Sequence, residues 1–384
     1  MKLIINTSNL YVGGGVQVAI SFINELKNLE TTNSYYIFLS KEINNQIDKN
    51  DFPTNVHFYL IDKSPASLKY RKTITKELDD LETEIKPDIV FTVFGPSYWK
   101  PKAIHISGFA DGWVYNPDSI AFNRLPFFKK IKMKLHCAYK AYYLKKDSDF
   151  LILETNDAKN KISNLLNINK NNIFVVGNTY SSLFKEDQYL DEDNENYIKL
   201  PETKNFRLMY IAHNHVSKNL IILKKLINYF EDKNIEMILT IDYNSYDKLF
   251  PNKPKNIINI GPVSQKSCPS IYAQSDALFA PTILETFSAS YPEAMKMNIP
   301  ILTSNYSFAK DVCGDAALYF NPINEKDIIS KIDELVGNKN LRETLTKNGE
   351  KQLMKFETSV EKAKKYIHIC ENLIKQKEES NVQK

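Results

Sequence analysis

The sequence predicts an α/β protein built as two parallel-sheet domains, on three observations. Short β-branched and apolar runs alternate with longer stretches of helical period, the pattern of βαβ units. The alternation occurs twice, on either side of a polar, acidic segment, SSLFKEDQYLDEDNENYIKLPETKN, that has no sustained apolar period. A chain of 384 residues is long for one core and comfortable for two, because single domains cluster near ~100–200 residues.

In the first half, strands are expected at 2–7, 35–39, 56–60, 88–93, 103–107, 149–153 and 172–176, and helices at 16–29, 66–85, 124–146 and 156–166. In the second, strands fall near 206–211, 235–240, 256–260, 277–280, 300–303 and 317–320, and three helical stretches starting near 324, 339 and 357 close the chain. This divides the chain into a first domain over 1–180, a linker over 181–204 and a second domain over 205–356. The helix at about 357–384 is expected to pack back on the first domain, with its Lys/Glu-rich end fraying after Leu373. No internal repeat is present.

Apolar residues make up 43% and charged residues 25%, the balance of a soluble globular protein, and a net charge of +4 gives no argument for nucleic-acid binding. The start, MKLIIN, enters a strand-like run without the apolar stretch and cleavage site of a secretory signal, so export is not expected. No run approaches the ~18 apolar residues of a spanning helix, which leaves peripheral contact as the membrane option. Cys137, Cys268, Cys313 and Cys370 form no CxxC pair and fit a reducing cytoplasm.

Two segments carry chemistry. In YVGGGVQVAISFINEL, Gly13, Gly14 and Gly15 open a helix with Val16, Ile20, Ile23 and Leu26 on its apolar face. Glycines let a backbone approach an oxyanion, and the free N–H groups of a helix start favour negative charge; the same three residues also suit a tight turn with no ligand. In FAPTILETFSASYPEAMKMNIPILTSN a strand leads through a loop into a helix carrying Glu285 and Glu293, with Glu285 placed near the helix start. There the N–H groups of Phe287 and Ser288 suit a diphosphate and Glu293 suits a vicinal diol such as ribose. The plain reading is helix-end charge for Glu285 and a solvated Glu293.

These residues and their order resemble the donor-binding domain of retaining GT-B glycosyltransferases, the group 1 class also called glycosyltransferase family 4. The family's Glu, seven residues, Glu pattern falls on Glu285 and Glu293, and SFAKDVCGDAALYFNP is similar to the family's downstream Gly-Asp-Ala-Ala segment. Upstream, FRLMYIAHNHVSKNL is similar to the strand and loop that bind the donor diphosphate, with Lys218 and Asn219 matching and His213 standing where arginine is usual. The resemblance is strong over 206–322 and weaker through the glycine turn and FLILETNDAKNKISNLLNINKNNIFVVGN. It implies a GT-B fold, two Rossmann-like domains facing across a central cleft. It also implies that Glu285 contacts the donor sugar and Glu293 the ribose, while Lys218, His213 and the Phe287 and Ser288 amides take the leaving diphosphate, with Gly14 and Gly15 as a further donor-side turn.

Departures from the family pattern bear on that site. Thr286 and Ser288 replace the glycines usual beside the first glutamate, and His213 exchanges a permanent bidentate cation for one mostly neutral at pH 7. In KAIHISGFADGWVYN, Asp111 matches the acidic partner of a family His–Asp pair, Ala110 stands where the His belongs, and His105 is the alternative; a lone strand histidine equally reads as a packed core residue. Asp-x-Asp spellings at Asp147–Asp149 and Asp191–Asp193 read as solvated surface charge, and His213 with His215 lacks a third ligand, so no required metal or other cofactor is expected.

Residues 124–146, RLPFFKKIKMKLHCAYKAYYLKK, hold eight Lys or Arg and no acid. Ile131, Leu135, Ala138 and Tyr142 share one helical face that is expected to pack inward, leaving Lys129, Lys130, Lys132 and Lys134 outward. Such a helix suits an anionic membrane surface, or is an ordinary solvated face.

The resemblance implies a retaining transferase moving a hexosyl group from a UDP- or GDP-sugar to a hydroxyl of a bacterial surface glycan or lipid-linked oligosaccharide. Its expected place is the cytoplasm, extending to the inner face of the membrane. Two other readings use the same architecture: a nucleotide-sugar epimerase, which needs no acceptor, and a non-catalytic partner that has lost its chemistry.

Overall fold

A computed structural model describes residues 1–185 and 187–382. Position 186 of the expected linker and positions 383 and 384 of the expected last helix lie outside the described residues.

The first sheet contains β1 (Lys2–Asn6), β2 (Ser34–Ser40), β3 (Val56–Ile61), β4 (Ile89–Thr92), β5 (Ile104–Gly108), β6 (Phe150–Leu153) and β7 (Ile173–Val175). All neighbours are parallel, in the order β3-β2-β1-β4-β5-β6-β7. The second contains β8 (Phe206–Tyr210), β9 (Ile235–Leu239), β10 (Ile257–Asn259), β11 (Ala277–Ala280), β12 (Ile301–Ser304) and β13 (Ala317–Phe320), again parallel, in the order β10-β9-β8-β11-β12-β13. Central strands such as β1 and β11 are buried on both faces, which is why they read as unbroken apolar runs and not as alternating ones.

The helices follow from periodicity and caps. Arg71–Ile85 buries Ile74, Leu78 and Ile85 on one face and ends at Lys86 in the left-handed region (φ 53°). Asn156–Leu166 starts on the Thr155 hydroxyl, which accepts from Ala158 N, and Glu325–Gly337 starts on the Asn324 side chain. The helix expected at 66–85 begins only at Arg71, because residues 64–70 form turns into which Arg71 reaches back, donating to the carbonyls of Pro65 (2.8 Å) and Ala66 (3.0 Å).

The chain forms two compact units. The first comprises Met1–Pro117, Ile131–Gly177 and the C-terminal segment from Glu357; the second comprises Asp118–Lys130 and Asn178–Phe356. Residues 118–130, drawn from sequence within the first domain, cluster with the second unit: Ser119 Oγ donates to Ile283 O (3.4 Å), and Ala121 and Phe122 are buried. The last helix, Ser359–Val382, sends Ala363, Tyr366, Ile367, Cys370 and Leu373 into the first core, where Tyr366 packs against Phe22 (5.2 Å) and Phe91 (5.1 Å).

The basic helix, Phe127–Asp147, corrects one expectation. Its inward face is Cys137, Ala141 and Leu144, beside Tyr139 and Tyr143, whereas Ile131, Leu135, Ala138 and Tyr142 are exposed. The rotation has a physical cause: the Arg71 guanidinium stacks on Tyr98 (4.7 Å), Tyr143 (4.8 Å) and Tyr139 (5.6 Å) and donates to the Tyr139 hydroxyl. A partly buried cation held among three rings fixes that face inward.

Candidate functional site

In the second sheet the chain leaves β8 towards β9 on one side and returns through β11 on the other, which makes the carboxyl ends of β8 and β11 a topological switch point. Open α/β sheets bind ligands there. The loop after β8 carries His213 and Lys218, and the loop after β11 carries Glu285, Phe287 and Ser288. The two loops are tied: Ser217 O accepts from the Thr282 hydroxyl (2.9 Å) and from Ile283 N (2.7 Å), with Thr282 fully buried.

Lys218 Nζ donates to Glu285 Oε2, joining residues 67 apart in sequence, and both side chains are about one-fifth exposed (23% and 19%). Burial opposes the Lys218 charge, but Glu285 and the Tyr210 phenol outweigh it and hold the ammonium above the ordinary lysine range. Tyr210, at the end of β8 and buried, places its ring 6.0 Å from the ammonium. Asn219 turns the chain in the left-handed region (φ 54°), and its amide anchors the loop by donating to Pro322 O (2.9 Å). His213 is exposed, five residues before Lys218. His215 caps the 3₁₀ turn Val216–Lys218 through its ring and the Ser217 N–H and hydroxyl.

The helix after β11 begins at Ser290, so Glu285 lies in the loop five residues ahead of it, near the helix start as the sequence suggests. No hydrogen-bond partner of the Phe287 or Ser288 backbone N–H occurs among the described residues. Thr286, Phe287 and Ser288 all keep negative φ, so the side chains that replace the family's glycines carry no backbone strain here. The Phe287 ring packs edge-on against Phe356 (6.0 Å), which holds the loop.

Glu293 lies in the first turn of Ser290–Lys296 and is half-buried. Burial pushes its carboxyl up to about 7, and the hydrogen bond from the Tyr272 hydroxyl (2.9 Å) pulls in the opposite direction. It is therefore not the fully solvated charge of the plain reading. Near neutral pH such a carboxyl accepts hydrogen bonds from a diol when ionised, at a smaller desolvation cost than a deeply buried one.

In the first unit the switch point falls between β1 and β4. Gly13 ends the loop after β1 with φ +83° and ψ −169°, a region open essentially to glycine, and the helix starts at Gly14. Gly13 and Gly14 are exposed with open space where a Cβ would stand, whereas a Cβ on Gly15 would meet Phe94 at 3.3 Å. Asp111 caps the turn Gly112–Tyr115 through Oδ1, which accepts from Trp113 N (3.0 Å), and pairs through Oδ2 with Lys140 (2.7 Å). His105 is fully buried between Asp147 O (2.6 Å) and Thr92 Oγ1 (2.8 Å), and burial lowers it to about 4, so it is a neutral core residue.

Asp147 corrects its reading as solvated charge: it is 3% exposed and pushed up to about 6 by burial. Asp149 accepts from His105 N (2.9 Å) and pairs with Lys100 (2.5 Å). Asp191 accepts from Asp193 N (3.0 Å) in an exposed turn. Tyr210, Tyr272 and Thr282 join the site without having been singled out; a tyrosine inside an apolar run, as in PSIYAQSDALF, is the signal for Tyr272, since a buried hydroxyl seeks a partner.

Two doubly wound units, with a charged and amide-lined switch point in the second, define a two-unit protein of the doubly wound α/β class. Residues 244–352 match the family described as glycosyl transferases group 1. Over 219 residues the chain is 29% identical to the capsular polysaccharide biosynthesis glycosyltransferase CapM of Staphylococcus aureus, a match spanning 53% of this chain and about half (56%) of that protein. Among solved structures, a glycosyltransferase from Rickettsia africae superposes with a TM-score of 0.71 at 16% identity, covering 97% of this chain and 98% of the other. Anabaena HepE, in complex with UDP and glucose, gives 0.66 at 12%, covering 97% and 100%. These structures share the GT-B fold with this chain, and the match to the group 1 family lies within the second unit, over residues 244–352.

Proposed function

We propose that the protein transfers a hexosyl group, with retained anomeric configuration, from a UDP- or GDP-sugar to a hydroxyl of a bacterial surface glycan or lipid-linked oligosaccharide. The observation that carries the reading is the switch point of the second unit, where Lys218, Glu285 and the Phe287 and Ser288 amides stand on two loops locked together through Ser217. HepE structures hold UDP or UDP-glucose, which supports a uridine donor, and CapM acts in capsular polysaccharide biosynthesis, which supports the acceptor class.

In this reading the diphosphate accepts from Lys218 and the loop amides, the ribose diol donates to Glu293, and Glu285 meets hydroxyls of the donor sugar. The bond from the anomeric carbon to the diphosphate oxygen breaks while the acceptor oxygen bonds to the same face of that carbon, and the acceptor's proton leaves on the departing diphosphate. Lys218 and the amides carry the developing charge without a metal. One such preorganised donor is worth ~10²–10³ in rate. Asp111, engaged by Trp113 and Lys140, is given no part in the transfer step.

Incubation with UDP- and GDP-hexoses, following nucleoside diphosphate release and the first-formed anomer by NMR, tests this. Release with an α-donor giving an α-product is expected. An inverted product removes the retaining mechanism, a changed donor sugar without release identifies an epimerase, and the absence of any turnover points to the non-catalytic partner.

A further inference from the structure

The helix Phe127–Asp147 leaves a line of large apolar side chains exposed: Phe127 is 70% exposed, Phe128 84%, Ile131 43%, Leu135 67% and Tyr142 59%, with Ala138 also exposed. At 100° per residue these six positions fall within about 100° of arc, so they form one stripe and not scattered exposures. The opposite face is committed, with Cys137, Ala141 and Leu144 packed on the core and Tyr139 and Tyr143 stacked on Arg71. Twenty-one residues make the helix about 31 Å long. Cations border the stripe, Lys134 and Lys145 along one edge and Lys132 and Lys146 along the other, and no carboxylate occurs from Phe127 to Lys146.

We propose that this stripe is a docking face for an anionic lipid bilayer, with the helix lying in the headgroup plane, Phe127, Phe128 and Leu135 entering the acyl boundary and the lysines meeting lipid phosphates. An ordinary solvated face does not expose five large apolar side chains on one line. A second copy of the chain is disfavoured by charge, since a two-fold contact along the stripe sets lysines against lysines with no acid on the helix before Asp147 to answer them. An anionic interface satisfies both features, because apolar burial and cation attraction act together there and long lysine stems reach back to the headgroups. The proposal does not depend on sugar transfer.

Co-sedimentation of the full chain with phosphatidylcholine vesicles, with and without phosphatidylglycerol, tests it. Wild type is expected to bind the phosphatidylglycerol vesicles at least tenfold more tightly than the neutral ones, with binding falling as salt rises. F127S/F128S and K132E/K145E are each expected to lose at least tenfold, the second also losing its salt dependence; all four side chains are exposed, so unfolding midpoints should stay near wild type. Should the serine variant fold poorly, the charge variant decides alone. Absence of wild-type binding to the anionic vesicles overturns the proposal, as do variants that bind like wild type. A wild-type dimer that L135S dissolves reassigns the stripe to a second copy.

Discussion

Replacing Lys218 by alanine is expected to lower turnover of a sugar-nucleotide donor by ~10²–10³, with Lys218→Arg recovering only part of the loss. The ammonium is fixed before any ligand arrives, by Glu285, by the Tyr210 ring and by a loop closed on Asn219. On the proposed function it would therefore need no reorganisation as charge develops on the departing diphosphate. The substitution also leaves Glu285 without its cation; at about one-fifth exposure the pair is partly screened, so the stability cost should be of the order of 1 kcal/mol and not that of a fully buried pair. Initial rates at saturating donor, with unfolding midpoints as a control, check this. A rate within threefold of wild type would remove Lys218 from the diphosphate site.

Glu285→Gln should reduce kcat by roughly 10–100-fold while changing KM by less than about threefold, the range expected for a hydrogen bond to a charged group made mainly in the transition state. The carboxylate holds Lys218 and precedes the Phe287 and Ser288 amides that the proposed function gives to the diphosphate. On the proposed function, removing its charge would loosen the cation and weaken the hold on the donor sugar in the transition state while leaving contacts to base and ribose unchanged. A proportional rise in KM at unchanged kcat would mean that Glu285 only binds.

Much of this was legible in sequence because burial on both faces writes strands as unbroken apolar runs: every expected strand is present, with no end shifted by more than one residue. Lys218, Glu285 and Glu293 were singled out through the resemblance of their spacing to a family pattern, and the fold places Lys218 and Glu285 on the two loops of the second switch point and Glu293 in the helix that follows. What stayed hidden are pairings between distant residues. Asp111 meets Lys140 across 29 positions, and Thr282 meets Ser217 across 65. The inward face of the basic helix was misread because periodicity ranks Ile131 and Leu135 above tyrosines, and nothing local announces Arg71 as the cation those rings enclose. The late start of the helix at Arg71 has the same origin, a side chain spent on turn carbonyls.

The central claim is that the second unit holds a nucleoside diphosphate at Lys218, Glu285 and Glu293. Its most direct test is thermal unfolding of the whole chain in a chelating buffer against UDP, GDP, ADP and dTDP, for wild type and Glu293→Ala. At 100 times its dissociation constant a ligand adds ~2.7 kcal/mol of stability, several degrees in the midpoint. The account predicts a shift with UDP or GDP, absent in the variant at the same concentration. No shift with any nucleotide, or an undiminished shift in Glu293→Ala, would contradict it.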